Sequence, residues 1–114
     1  MKDKSVYILT AMECIDLIVE YTAGSNLDSF LADRKTQDAV VRNLEVIGQA
    51  LKAFGIEALI EEMPDKPWKQ IAGMRNVLAH EYLGVDMVMI WDTVQLHLND
   101  LQQALGSLLS DGSH

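Results

Sequence analysis

The sequence predicts an all-α domain: an antiparallel bundle of four principal helices with one or two short additional helices. Apolar residues recur at spacings of three and four along several segments, which is typical of one buried helix face. The β-branched alternation typical of strands is absent. The two prolines of the chain stand close together, at Pro64 and Pro67. Long uninterrupted helices can therefore form on either side of this pair.

The first helix is predicted from about Ser5 to Thr22, and Gly24 provides its C-terminal stop. Ser25 and Asp28 have the spacing of a capping box that opens a short second helix. The predicted apolar face of the first helix consists of Ile8, Met12, Ile15 and Val19. The short helix continues through Leu27, Phe30 and Leu31.

A longer helix is predicted from about Thr36 to Phe54, ending before Gly55 as its C-terminal cap. Another short turn of helix covers Glu57 to Glu62. The apolar face of the long helix is formed by Val40, Leu44, Ile47, Leu51 and Phe54.

The last two principal helices follow the prolines. Pro67 suits the first turn of a helix, where its missing N–H needs no partner, and this helix should run to about Leu83 before Gly84. Asp86 caps the final helix, whose apolar face repeats through Val88, Trp91, Val94, Leu98, Leu101, Leu105 and Leu108. Residues 1–109 are thus predicted to form one domain, with residues 110–114 as a flexible tail.

The composition limits the function. The 114 residues include 17 acidic and 9 basic ones, for a net charge of −8. A protein that coats nucleic acid nonspecifically needs many cations to neutralise phosphates, so that class is excluded, whereas a small local RNA site is not. The single cysteine, Cys14, cannot form an internal disulfide, and the apolar runs are too short to span a bilayer. We therefore expect a cytoplasmic protein without a membrane segment.

The segment from Gly73 to Tyr82 carries the most informative side chains. On a helical wheel, Arg75, Asn76, His80 and Tyr82 share an arc of roughly 160°. The apolar residues of the segment, Ile71, Met74, Val77 and Leu78, occupy a different arc. One face of this helix is therefore predicted to meet a core, and the other to present functional groups.

These groups suit RNA cleavage without a metal ion. Histidine transfers protons near neutral pH, and arginine stabilises charge that develops on a phosphate. Asn76 can orient the imidazole of His80 or bind substrate, and Tyr82 offers a hydroxyl and a ring on which a base can stack. Spacing alone leaves a structural alternative open. In it, Arg75 pairs with a carboxylate, His80 lies at a helix C-terminus, and Tyr82 closes the end of the bundle.

The pattern Arg75-Asn76-x3-His80-x-Tyr82 resembles the Arg-x4-His-x-Tyr signature of HEPN-domain ribonucleases, specifically the HepT-like (DUF86) toxins of prokaryotic HepT–MntA toxin–antitoxin pairs. The resemblance covers most of the chain. It extends to residues 42–50, to residues 68–76, to Gly84-Val85-Asp86 and to Trp91.

The resemblance implies a HEPN-type bundle that forms a homodimer, with the Arg75 and His80 faces of two subunits lining one RNA-binding cleft. It implies catalytic roles for Arg75 and His80 and supporting roles for Asn76 and Tyr82. It also implies a type VII toxin–antitoxin system, in which a nucleotidyltransferase antitoxin resembling MntA neutralises the toxin by attaching AMP to Tyr82. No cofactor is expected.

The sequence leaves two other functions open: a noncatalytic HEPN module that binds a nucleotide or assists a nucleotidyltransferase, and a purely structural helical dimer. Lys69, with Lys66, can form a positive rim beside Arg75 that contacts RNA, or both lysines can be ordinary solvated charges. The three histidines, His80, His97 and His114, lack metal-ligand spacing, so no metal site is expected. Cys14 is predicted to be a buried apolar residue, and Asp92 and Asp100 to lie on a helix surface.

Overall fold

The computed structural model describes residues 4–69, 71–72 and 86–110, and the regular structure in these ranges is helical. It comprises α1 (Ser5–Thr22), α2 (Leu27–Leu31), α3 (Arg34–Phe54), α4 (Ile56–Glu62) and α5 (Met87–Ser110). Residues 68–69 and 71–72 are also helical. The predicted all-α bundle of the HEPN type is thus confirmed. None of the helices in the described ranges is long and apolar enough to cross a membrane.

The core lies where three helices meet. α1 packs mainly on α3 and also on α5, while the short α2 touches both α3 and α5, and α4 contacts α3. Burying one large aliphatic or aromatic side chain stabilises the fold by about 1.5–3 kcal/mol. The largest fully buried side chains are Trp68, Phe30, Ile8, Ile15, Ile18, Ile47, Leu51, Leu59, Ile90, Leu105 and Leu108.

The buried face of α1 differs from the predicted one at Val19, which is 53% exposed. Ile8 and Ile15 are buried as predicted, and Met12 is partly buried against the core. The buried arc instead continues through Ala11, Cys14, Ile18 and Thr22. Val19 falls about 20° beyond Ile8 on the helical wheel, at the margin of this arc. The arc is centred nearer Ala11 because α3 and α5 both pack on α1.

The cap of α2 also differs from the prediction, by one residue. Asn26, not Ser25, is the N-cap: its Oδ1 accepts from the Ser29 backbone N–H at 2.8 Å, and its own N–H donates to Ser29 Oγ at 2.9 Å. Asn26 has the extended backbone that a capping residue needs. Ser29, not Asp28, is therefore the second partner of the capping box.

Helix α3 begins at Arg34, two residues earlier than predicted, because Asp33 caps it. Asp33 Oδ1 accepts from the Thr36 backbone N–H at 3.1 Å, and Asp33 Oδ2 from the Thr36 hydroxyl at 2.6 Å. These hydrogen bonds hold the pKa of Asp33 below its ordinary value. At the other end Gly55 is the predicted cap, with φ +120°, a backbone conformation that favours glycine.

Helix α5 confirms the predicted cap and most of the predicted face. Asp86 Oδ1 accepts from the Val88 backbone N–H at 2.9 Å. Val88 itself is 40% exposed, contrary to the prediction, and Ile90, which is fully buried, takes its place. Ile90 lies one turn before Val94, whereas Val88 lies about 120° away around the helix. Trp91 is partly buried and packs on Phe30, with ring centroids 5.2 Å apart.

Candidate functional site

Of the residues proposed for the site, Lys69 lies within the described ranges. It is exposed and belongs to the helical residues after Pro67. Arg75, Asn76, His80 and Tyr82 lie outside the described residues, as do Gly84, His114 and the predicted helix beyond residue 72. Their roles therefore stay predictions from the sequence. The described geometry concerns the segment that leads to Arg75 and the helix beside it.

Trp68 anchors this approach segment. Its side chain is 1% exposed, and its indole Nε1 donates to the Met63 carbonyl at 2.8 Å. The Trp68 backbone N–H donates to the Lys66 carbonyl at 2.9 Å, and the Ile71 N–H to the Pro67 carbonyl at 3.0 Å. The helical residues thus begin one residue after Pro67, whose carbonyl accepts a hydrogen bond of the helix. A buried aromatic side chain fixes the point from which the chain continues toward Arg75.

An ion pair joins the approach segment to α5. Lys66 Nζ donates to Asp100 Oδ1 at 2.9 Å and to Oδ2 at 3.1 Å. The hydrogen bond to this carboxylate raises the pKa of Lys66, so the ammonium stays charged at neutral pH. Of the two lysines predicted to form a positive rim, Lys66 is therefore paired with Asp100, whereas Lys69 is exposed to solvent.

A groove lies between residues 66–71 and α5. Its volume is about 250 Å³, and its lining consists of Lys66, Pro67, Trp68, Ile71, Thr93, His97, Asp100, Leu101 and Ala104. A smaller cavity of about 40 Å³, room for about one water molecule, shares Ile71, Thr93, His97 and Leu101 with it. Apolar side chains form most of the groove. Lysine, aspartate, threonine and histidine bring polar groups to the same opening.

The part that α5 plays in this groove was not predicted from the sequence. Asp100 was predicted to lie on a helix surface and His97 not to be a metal ligand, and both side chains are exposed. Thr93, His97 and Asp100 are spaced four and three residues apart, which places them on one helix face. That spacing was the feature of the sequence that could have indicated a shared polar face on α5. The partner of Asp100, Lys66, lies 34 residues away in the sequence, and no local pattern predicts such a pairing.

The remaining candidates have structural roles. Cys14 is buried as predicted, and burial, the largest cause, raises the pKa of its thiol, with Glu13 adding to the effect. A thiol held protonated in this way is a poor nucleophile. Within residues 4–69, 71–72 and 86–110, no group of three or more His, Cys, Asp or Glu side chains could hold a metal ion.

Comparison with known proteins identifies the family. Residues 11–108, which include Arg75, Asn76, His80 and Tyr82, match the ribonuclease HepT-like family. The chain belongs to that family. No solved structure matches the chain.

Curated relatives agree with this assignment. A protein named "Probable ribonuclease HepT" from Thermococcus cleftensis is 40% identical over 96 residues, covering 84% of this chain and 86% of the relative. A "Putative RNase" from Methanocaldococcus jannaschii is 41% identical over 93 residues, covering 82% and 76%. A longer protein of that organism, named "Gamma-glutamylcyclotransferase and putative RNase", is 34% identical over 110 residues. The match covers 96% of this chain and 49% of the longer protein.

Proposed function

We propose that the protein is a metal-independent endoribonuclease and the toxin of a prokaryotic type VII toxin–antitoxin system. The observation that carries the proposal is the complete Arg75-x4-His80-x-Tyr82 signature inside a chain of the ribonuclease HepT-like family. The names of the relatives, ribonuclease HepT and RNase, support the same substrate class.

The distribution of charge favours a concentrated RNA contact. Residues 66–75 contain Lys66, Lys69 and Arg75 and no acidic residue, whereas residues 5–33 contain five acidic residues and no lysine or arginine. A polyanion is repelled by the acidic part of the chain and attracted to Lys69 and Arg75, since Asp100 neutralises the charge of Lys66. Of the two lysines of this segment, Lys69 is exposed and Lys66 is paired with Asp100, so Lys69 is the one that can contact a phosphate of the RNA.

In the proposed reaction, an RNA 2′-hydroxyl attacks the adjacent phosphate, and the bond to the 5′-oxygen of the next nucleotide breaks. His80 transfers protons in this step, and Arg75 stabilises the negative charge of the pentacovalent transition state. Asn76 and Tyr82 support the two groups. Two subunits of a homodimer present the same face to one cleft, since a two-fold axis repeats each surface patch.

Regulation acts through Tyr82. A nucleotidyltransferase antitoxin similar to MntA transfers AMP to its hydroxyl, and the added phosphate and nucleoside occupy the cleft. The new negative charge pairs with Arg75 and repels the RNA backbone.

The decisive experiment compares RNA cleavage by the wild type, His80→Ala and Arg75→Ala in the presence of EDTA. We expect both variants to lose at least about a hundredfold in rate, because each removes a group that acts in the transition state. Lys52→Ala, which removes an exposed cation on α3, is the matched control and should cleave at the wild-type rate. Cleavage by His80→Ala at the wild-type rate would show that the activity comes from elsewhere.

A second experiment tests regulation. After incubation with the antitoxin and ATP, mass spectrometry should find AMP on the wild type but not on Tyr82→Phe. Modification of Tyr82→Phe would place the acceptor at another residue. Growth arrest on expression that is relieved by His80→Ala separates a toxin from a noncatalytic binding module.

A further inference from the structure

The groove between residues 66–71 and α5 has a floor that suits a flat ring. Trp68, Leu101 and Ala104 are buried there, and Ile71 is partly buried. The volume of about 250 Å³ is smaller than the roughly 300–1,000 Å³ typical of sites for drug-sized ligands. A groove of this size accommodates one planar ring system against its apolar floor.

The opening of the groove offers a hydrogen-bond donor directly beside an acceptor. Lys66 Nζ lies 2.9 and 3.1 Å from the two oxygens of Asp100. A carboxylate has about four lone-pair positions and an ammonium has three N–H donors. The ion pair therefore leaves positions on both groups for a ligand, and Asp100 is well exposed, with 59% of its side chain accessible.

Among the RNA bases, guanine matches this arrangement. Its Watson–Crick edge presents the O6 acceptor next to two parallel donors, N1–H and the 2-amino group. A carboxylate accepts from both donors at once, and a neighbouring ammonium donates to O6. Adenine and cytosine place an amino group where guanine has O6, facing the ammonium, and uracil places a carbonyl oxygen against the carboxylate.

We propose that this groove binds a guanine base of the RNA, with Asp100 accepting from N1–H and the 2-amino group and Lys66 donating to O6. The inference rests on the proposed ribonuclease function for its ligand class, and it makes Asp100 and Lys66 specificity-determining residues. His97 and Thr93 lie at the same opening. The Thr93 hydroxyl donates to the Met89 carbonyl and can still accept a hydrogen bond from a ribose hydroxyl.

The test measures binding of GMP, IMP and AMP to the 114-residue protein by isothermal titration calorimetry. IMP lacks only the 2-amino group of guanine, and AMP presents an amino group in place of O6. We expect GMP to bind at least about tenfold more tightly than IMP, and IMP more tightly than AMP, since a hydrogen bond to a charged group is worth this factor or more.

Three variants locate the effect. Asp100→Asn should weaken the binding of GMP by about tenfold, so that the variant binds GMP about as tightly as the wild type binds IMP. Lys66→Gln should weaken the binding of GMP and of IMP by the same factor, because both ligands have O6. Asp92→Asn, which changes another exposed aspartate of α5 outside the groove lining, should bind all three ligands like the wild type. Thermal unfolding of each variant checks that it is folded.

Equal affinity for GMP, IMP and AMP, or a GMP preference that survives in Asp100→Asn, overturns the inference. Loss of self-association in Asp100→Asn without any nucleotide binding by the wild type also overturns it and identifies the groove as a contact between two copies. The two proposals fail separately. If RNA cleavage requires His80 but shows no preference for guanine, only the proposed base preference is refuted. If the protein binds guanine but does not cleave RNA, only the proposed ribonuclease function is refuted.

Discussion

Substitution of Trp68 by phenylalanine tests whether the buried indole anchors the approach segment. The change removes the N–H that donates to the Met63 carbonyl at 2.8 Å, and the loss of such a bond costs about 0.5–1.5 kcal/mol. It also leaves a void where the larger ring system was almost fully buried. This void lowers the free energy of unfolding by about 1–2 kcal/mol more. We expect Trp68→Phe to lower the free energy of unfolding by about 1.5–3.5 kcal/mol in total.

Urea denaturation followed by circular dichroism measures this change. The midpoint should fall while the m-value stays constant, because the surface exposed on unfolding is nearly the same. Trp91→Phe makes the same chemical change at the other tryptophan of the chain, which is only partly buried beside Phe30. It should lower the free energy of unfolding by less than Trp68→Phe does. A Trp68→Phe protein within about 0.5 kcal/mol of the wild type, the range of ordinary surface substitutions, would refute the anchoring role.

Two further predictions concern backbone conformation and pH. Gly55→Ala should cost about 1–3 kcal/mol, because φ +120° is strained for any side chain. Gly106→Ala, inside α5 with Met12 Cε 3.9 Å from the added methyl, should instead stabilise by about 0.5–1 kcal/mol. Urea denaturation measures the stability of both variants. A more stable Gly55→Ala or a less stable Gly106→Ala would contradict these predictions. The pKa of Asp33 is lowered in the folded state by hydrogen bonds from Thr36, so Asp33 contributes stability above its unfolded pKa that is lost as the pH falls through its folded pKa. Asp33→Asn should be less stable than the wild type near pH 7, with a deficit that shrinks as the pH falls below the unfolded pKa of aspartate. A deficit independent of pH would contradict the linkage.

The proposed base preference gives the acidic character of the chain a role in RNA recognition. Asp100 is one of 17 acidic residues, and a carboxylate is the side chain that accepts from two adjacent N–H groups of a base. Phosphate contacts position a nucleic acid, whereas contacts to base edges provide specificity. A protein with few cations can therefore bind weakly along the backbone and still select a base.

Much of the fold could be predicted from the sequence because local patterns determine it. The spacing of apolar residues predicted the long helices, and the prediction at Gly55 was confirmed because few residues other than glycine adopt a φ of +120°. The predicted helix cap was wrong where two neighbouring residues can each cap the same helix. Asn26 and Ser25 are both good capping residues, and the structure shows that Asn26 forms the cap hydrogen bonds, with Ser29 as its partner.

The candidate site divides in the same way. The sequence by itself determined the family signature from Arg75 to Tyr82, since the residue types and their spacing are local properties of the chain. Only the tertiary structure decided that Lys66 meets Asp100, that Trp68 fixes the approach segment, and that His97 faces a groove. The ion pair and the groove join segments far apart in the sequence, and the burial of Trp68 depends on how the helices pack around it, so no local pattern predicts them.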